Sequence, residues 1–182
     1  MGRLYLVRNA RTDDGTGFAE NPRLDEVGQE QAEAVVRKLG HLRRPKILTS
    51  PQRRAMETVA PLARHCLAMP VVDEALTLMP LPSAESCDRE AWLLAFMESS
   101  WRDAPPLQRR WRESCLFALA GLTGDVVIAS HFIVINMIVG AATGDDRVVI
   151  FKPDNGSITT LDVTDGKLSL VELGRQAATR PL

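Results

Sequence analysis

The chain has 182 residues, 45% of them hydrophobic and 25% charged, a length and balance that fit one ordinary globular domain able to bury a core without disulfide or metal staples. With 22 Lys and Arg against 23 Asp and Glu, the formal net charge is -1. This argues against a general nucleic-acid or membrane-surface binder, whose affinity comes from excess basic charge. Any anion site must be local.

Leu4-Tyr5-Leu6-Val7 is a short apolar run ending in Arg8-Asn9, the pattern of a buried strand feeding a loop. The loop is rich in Gly and Asp through Asp13-Asp14-Gly15-Thr16-Gly17. After Asp25, the apolar residues Val27, Ala34, Val35, Leu39 and Leu42 recur at helical spacing, with acids early and bases late to suit the helix dipole. Ile47-Leu48-Thr49 reads as a second strand. Ser50-Pro51 then reads as N-cap and first helical residue of a helix running to Cys66. Val71-Val72 is a short third strand, residues 77–83 with three prolines are irregular, and helices are expected over 85–99 and 107–122.

Asp125-Val126-Val127-Ile128-Ala129-Ser130 is apolar on both faces, as a central parallel strand should be. His131 stands at its carboxyl end, and residues 132–142 form a buried helix. Residues 147–152, 157–163 and 167–173 read as closing strands, with Asn155-Gly156 and Asp165-Gly166 as turns. The alternation predicts a three-layer α/β/α fold with a mostly parallel central sheet, whose ligands sit beyond the carboxyl ends of the strands. Residues 1–175 are expected to form the single domain and residues 176–182 a frayed tail.

Cys66, Cys87 and Cys115 are odd in number, widely spaced and without a C-x-x-C pair, so reduced thiols and a cytoplasmic location are expected. No apolar run approaches the ~20 residues of a membrane-spanning helix. Charge enters the N-terminal stretch too early for a signal-peptide core.

Three polar groups fall at or just past the carboxyl ends of buried strands: Arg8-Asn9, the Arg53-Arg54 pair, and His131. Taken singly, Arg8 reads as a solvent-facing strand end, the arginine pair as a solvated helix face and His131 as a capping or interior histidine. Converging on one sheet edge, they would make an anion pocket, most naturally for phosphate. His41 and His65 read as surface residues. Trp92, Phe96, Trp101 and Trp111 read as core, with a partner surface as the alternative.

The ordered blocks resemble the histidine phosphatase superfamily, the phosphoglycerate-mutase-like proteins. Leu4-Tyr5-Leu6-Val7-Arg8-Asn9-Ala10-Arg11-Thr12 is similar to its first block, an apolar strand followed by Arg-His-Gly, one variable residue and Thr. Leu24-Asp25-Glu26-Val27-Gly28 resembles its Leu-Thr-x-x-Gly helix start. Ser50-Pro51-Gln52-Arg53-Arg54-Ala55-Met56-Glu57-Thr58 resembles Ser-x-x-x-Arg-Ala-x-x-Thr, with Arg54 in the arginine position and Arg53 beside it. Glu85-Ser86 is similar to a Glu-Ser pair of the family, residues 126–131 resemble the block of the second histidine, and Asn155-Gly156-Ser157-Ile158 resembles a late Asn-x-Ser-Ile strand. The resemblance runs from residue 4 to about residue 163 and implies a phosphate pocket of Arg8, Asn9, Arg54 and His131, with Thr12, Arg53 and Glu85 as possible additions. It implies no metal or other cofactor.

In the family the first histidine attacks the phosphoryl group and carries it as phosphohistidine. On this register Asn9 takes that position, and an amide nitrogen, its lone pair delocalised into the carbonyl, is a donor rather than a nucleophile. Ala10 replaces the following glycine and is expected to crowd the loop. Leu78 falls where many members place a proton-donating Glu, with Asp73, Glu74 or Glu85 as possible substitutes, and Asn136 falls where the family often has Arg. One engineered substitution would explain Asn9 but not Ala10 and Leu78 beside it. The reading is therefore a protein that binds phosphate or a phosphomonoester and is catalytically inactive or severely impaired. The alternatives are an active phosphomonoesterase with a non-standard nucleophile or base, and an interaction protein with a relic pocket. A homodimer is possible, and nucleic-acid and membrane partners are not expected.

Overall fold

The computed structural model describes residues 2–13, 21–83, 85 and 87–177. Among them, six strands are β1 (Gly2–Arg8), β2 (Lys46–Thr49), β3 (Val71–Val72), β4 (Gly124–Ser130), β5 (Ile158–Thr164) and β6 (Lys167–Glu172). Five α-helices are α1 (Glu26–Leu39), α2 (Arg53–Cys66), α3 (Arg89–Met97), α4 (Pro106–Ala120) and α5 (Phe132–Thr143). The sheet runs in the order β3-β2-β4-β1-β5-β6. The pairs β3–β2, β2–β4 and β4–β1 are parallel, whereas β5 runs antiparallel to β1 and to β6. This is the expected α/β architecture with a mostly parallel sheet.

Alternation along the central strands divides the core. Leu4, Leu6, Leu48, Val126 and Ile128 face one layer, where they meet α5 and the aromatic helices. Val7, Ile47, Val127 and Ala129 face the other, against α1 and α2. Because β4 buries both of its faces, it reads as an unbroken apolar run. The chain leaves β1 toward α1 on one face and β4 toward α5 on the other. The gap between β4 and β1 is thus a topological switch point, the place where such sheets bind ligands.

The aromatic group belongs to the core. Trp92 stacks on Phe96 at 5.0 Å between ring centroids, Phe96 meets Trp101 edge-on at 5.5 Å, and Trp101 stacks on Trp111 at 6.1 Å. Such pairs contribute ~0.5–1.5 kcal/mol each beyond area burial. His41 and His65 are exposed as expected.

Three boundaries differ from expectation, each because a side chain found another partner. Helix α2 begins at Arg53 with Gln52 as its N-cap residue; the Ser50 hydroxyl is engaged with His131 instead of capping it. Helix α3 begins at Arg89 rather than at residue 85, because Asp88 accepts the backbone N–H of Glu90 and Ala91. Residues 147–152 are not a strand. Val148 N donates to Ser99 O, and Asn136 Oδ1 takes both Ile150 N at 2.8 Å and Phe151 N at 3.0 Å. At the start of the expected tail, Gln176 bridges to Pro153 and Ala177 N donates to Lys152 O at 2.9 Å. Residues 178–182 lie outside the described residues, as do residues 14–17 of the Gly- and Asp-rich loop.

Gly28 marks the closest approach in the layer beneath the site. A Cβ there would stand 2.0 Å from the carbonyl oxygen of Arg11. Gly28→Ala must therefore push α1 away from the loop that follows Asn9. We expect a loss of ~2 kcal/mol, within the range for overpacking, or a fall in Tm of several degrees in thermal unfolding. An unchanged Tm would show that the loop yields freely.

Candidate functional site

Strand register brings the polar residues together. Arg8 lies opposite Ser130 and Thr49 opposite Ala129, so the parallel strands β1, β4 and β2 end almost level. The next residues continue the ladder for one more step, with Asn9 N donating to Ser130 O at 2.8 Å and Ser50 N to Ala129 O at 3.0 Å. Asn9, Ser50 and His131 thus stand side by side at the carboxyl edge, at the switch point.

The side chains there are linked. His131 Nδ1 lies 3.1 Å from Asn9 Oδ1, and His131 Nε2 lies 2.8 Å from Ser50 Oγ and 3.3 Å from Gln52 Oε1. Asn9 Nδ2 donates to Ala10 O at 3.1 Å, which turns the amide oxygen toward the imidazole. A proton on His131 Nδ1 satisfies this oxygen and leaves a lone pair at Nε2; the tautomer follows from the orientation assigned to the Asn9 amide. Thr77 Oγ1, 3.5 Å from Gln52 Nε2, brings the irregular 77–83 segment to the edge of this group.

Two arginines flank it. Arg8 is 8% exposed and Arg54 6% exposed. Arg8 Nη1 donates to Pro153 O at 2.7 Å, and its guanidinium lies 5.3 Å from the centre of the Phe132 ring, a cation–π contact. Burial lowers the Arg8 pKa to about 10, with Asp154 opposing the shift, so Arg8 remains a cation at neutral pH. Arg54 lies on the buried face of α2 with Ala55, Thr58 and Val59. Thr58 Oγ1 receives Ala10 N at 2.9 Å and donates to Arg54 O at 2.6 Å, tying the helix to the Asn9 loop.

The 153–157 loop holds β1 from the other side. Asn155 Nδ2 donates to Asn9 O at 2.9 Å, Gly156 N to Arg8 O at 3.0 Å, and Arg8 N to Ser157 O at 3.0 Å. Gly156 has φ +66°, a conformation glycine takes without steric cost.

Burial in the first place, then the charges of Arg54 and Arg8, push the His131 pKa down from 6.5 to about 3. The imidazole is neutral at pH 7 in a niche held positive by guanidinium groups. An unfolded His131 takes up a proton near pH 6.5 and the folded one near 3, so between those values the unfolded state binds more protons. Stability then falls as pH drops through that window, with an upper slope of ~1.4 kcal/mol per pH unit. Unfolding in urea from pH 7 to pH 4 should show the His131→Gln variant with a flatter profile than wild type. Parallel profiles would mean that the imidazole titrates alike in the folded and unfolded chain and that burial does not lower its pKa.

The other expected members are placed differently. Arg53 is turned outward, half exposed and paired with Glu57 at 2.6 Å, with its backbone N–H on Asn21 Oδ1; it is not brought into the cluster. Thr12 is buried, and its backbone forms an isolated β-bridge with Leu24. Glu85 is exposed in the turn before α3, and Ser86 lies outside the described residues. Ala10 does not crowd the loop. It is fully buried with Leu24 and Ala32, and its backbone is not in the positive-φ region. Leu78 is 40% exposed beside Thr77. Asp73 caps the 3-10 turn at Glu74–Leu76, and Glu74 is exposed. Asn136 holds the backbone at 150–151 from inside the core rather than facing the cluster. Sequence reasoning passed over Ser50 and Gln52; the signal was a hydroxyl directly after a buried strand. Among the described residues, no group of three or more His, Cys, Asp and Glu side chains is placed to hold a metal ion, and no helix is long and apolar enough to cross a membrane.

Comparison with known families gives a match to the model for the histidine phosphatase superfamily (branch 1) over residues 4–176. The chain belongs to that superfamily. No curated protein matches it in sequence. Among solved structures, a mycobacterial glucosyl-3-phosphoglycerate phosphatase in complex with inorganic phosphate superposes with TM-score 0.74 at 23% identity, over 97% of this chain and 98% of that one. The same enzyme complexed with VO3 gives TM-score 0.73 at 22% identity, over 97% and 100%. A phosphoserine phosphatase from Entamoeba histolytica in complex with 3-phosphoglyceric acid gives TM-score 0.75 at 18% identity, over 97% and 98%. These likenesses establish the fold, with phosphatases among its neighbours.

Proposed function

We propose that this superfamily member binds inorganic phosphate or a phosphomonoester between Arg8, Arg54 and His131, and that phosphohistidine turnover is lost or severely impaired because Asn9 stands at the position of the phospho-accepting histidine. The observation that carries the reading is the Asn9 Oδ1 to His131 Nδ1 contact, made at the switch point between two buried guanidinium groups. Guanidinium groups suit the equatorial oxygens of a phosphoryl group because they stay charged and present forked donors. Complexes of the mycobacterial relative with phosphate and with VO3 support the ligand class.

An amide at position 9 cannot take up a phosphoryl group as an imidazole does. Leu78, which follows Thr77 in sequence, has no proton to give a leaving oxygen. The protein would then grip the ligand without the usual means to break it.

Calorimetric titration with phosphate and with vanadate tests this. Saturable binding of one anion per chain, with no acid-labile phosphate on the protein, is expected. Absence of binding, or phosphohistidine in the wild-type chain, would overturn it.

A further inference from the structure

Ser50, His131 and Asn9 form a hydrogen-bonded series that phosphate binding alone does not require. Ser50 Oγ is 2.8 Å from His131 Nε2, and His131 Nδ1 is 3.1 Å from Asn9 Oδ1. A hydroxyl within reach of an imidazole, which is itself oriented by a third group, is the arrangement that activates a nucleophile.

We propose that Ser50 is a phosphoryl-accepting nucleophile for aryl phosphomonoesters, with His131 as its general base and Asn9 as the residue that orients His131. The proposal rests on the phosphomonoester reading for its electrophile, and goes beyond it by assigning a slow covalent reaction to a residue outside the family's phosphohistidine position.

Several features of this chain support the step. Asn9 holds His131 with the proton on Nδ1, so the Nε2 lone pair faces Ser50 Oγ. A histidine at position 9 would compete to donate at that ring; the carboxamide oxygen only accepts. The imidazole is neutral at pH 7 and can accept a proton, but burial and the two arginines make it a weak base, which is why the reaction is a slow one. Ser50 itself is fully buried, and the group over it is the Gln52 carboxamide. Gln52 Oε1 lies 2.5 Å from Ser50 Oγ and 3.3 Å from His131 Nε2. Ser50 has one proton and two facing acceptors. At rest Ser50 Oγ donates to Gln52 Oε1, so activation by His131 requires that proton to turn to Nε2 and the Gln52 side chain to give way.

The chemistry balances in two halves. Ser50 Oγ attacks phosphorus, the Oγ–P bond forms as the bond from phosphorus to the aryl oxygen breaks, the Ser50 proton passes to His131 Nε2, and the aryl oxide leaves as an anion. Water then attacks phosphorus, the Oγ–P bond breaks, and the imidazolium returns its proton to Ser50 Oγ with release of dihydrogen phosphate. No acid is needed at the leaving oxygen of an aryl ester, which fits a leucine at position 78. Alkyl phosphates, whose leaving oxygens need a proton, should not react.

The test is incubation of the full chain with p-nitrophenyl phosphate, an acid quench, and mapping of bound phosphate by peptide mass spectrometry. We expect acid-stable, alkali-labile phosphate on Ser50, its loss by ~100-fold or more in Ser50→Ala, and severalfold faster labelling in Gln52→Ala, which uncovers Ser50 without removing it. In Asn9→Asp the acceptor is kept and a negative charge raises the imidazole pKa, so the acid limb of the labelling profile should move to higher pH. A packing role for Asn9 would not move that limb. Phosphate binding without acid-stable label on Ser50, in both wild type and Gln52→Ala, overturns the Ser50 step and leaves the binding reading standing. Absence of phosphate binding as well overturns both. Acid-labile label, which marks a histidine, also overturns the Ser50 step.

Discussion

Asn9→His protein is expected to form acid-labile phosphohistidine with p-nitrophenyl phosphate and to hydrolyse it about 100-fold faster than wild type, or more. The substitution replaces a carboxamide that cannot bond to phosphorus with an imidazole that can. It sits where the parallel strands end level, against His131 and between the two buried arginines. Those neighbours would keep the new imidazole neutral, and therefore nucleophilic, by the same burial and charge that act on His131. The gain should be largest for aryl phosphates, since Leu78 supplies no acid for a poor leaving oxygen. Rapid-quench labelling and steady-state turnover read the two parts separately. A folded Asn9→His protein that binds phosphate yet gains neither label nor rate would mean that position 9 is not the phosphoryl-accepting position.

Arg54→Ala should weaken phosphate and vanadate binding by roughly 10- to 100-fold, the worth of one charge-assisted hydrogen bond or two. Arg53→Ala should change it less than about twofold, as befits a surface pair of little consequence. The two residues are neighbours in sequence and opposite in placement, one 6% exposed on the helix face toward the site, the other paired with Glu57 in solvent. Arg8 is a harsher case because it also donates to Pro153 O and lies against Phe132. Arg8→Lys keeps the charge but loses the planar fork. It should bind phosphate about tenfold more weakly while unfolding near the wild-type temperature. Calorimetry at fixed ionic strength checks all three. Equal losses in Arg53→Ala and Arg54→Ala would refute the assignment.

The distinction between Arg53 and Arg54 was within reach of helical phase. Arg54 shares a face with Thr58 and Leu62, which are buried, whereas Arg53 lies four residues before Glu57 and pairs with it. The start of α2 was not. Ser50-Pro51 has the composition of a helix start, and only the arrival of His131 at the end of β4 shows why the hydroxyl is engaged elsewhere. Residues 147–152 carry the apolar residues of a strand, and Val148 and Phe151 are indeed buried. Their backbone is claimed by Asn136, fourteen residues earlier, an arrangement no local pattern signals. Ala10, a departure from the family pattern, proved compatible with its place because Leu24 and Ala32 leave a pocket for its methyl group.

Composition, the alternation of apolar runs with amphipathic ones, and the order of the short polar blocks were enough to identify the layered fold, its parallel centre and the edge on which Arg8, Asn9 and His131 would meet. Those properties depend on periodicity and on neighbours a few residues apart. The series from Ser50 through His131 to Asn9 joins residues 81 and 122 positions apart. Its existence depends on strand register and on which acceptor each buried donor reaches, and buried polar groups choose partners across the fold rather than along the chain.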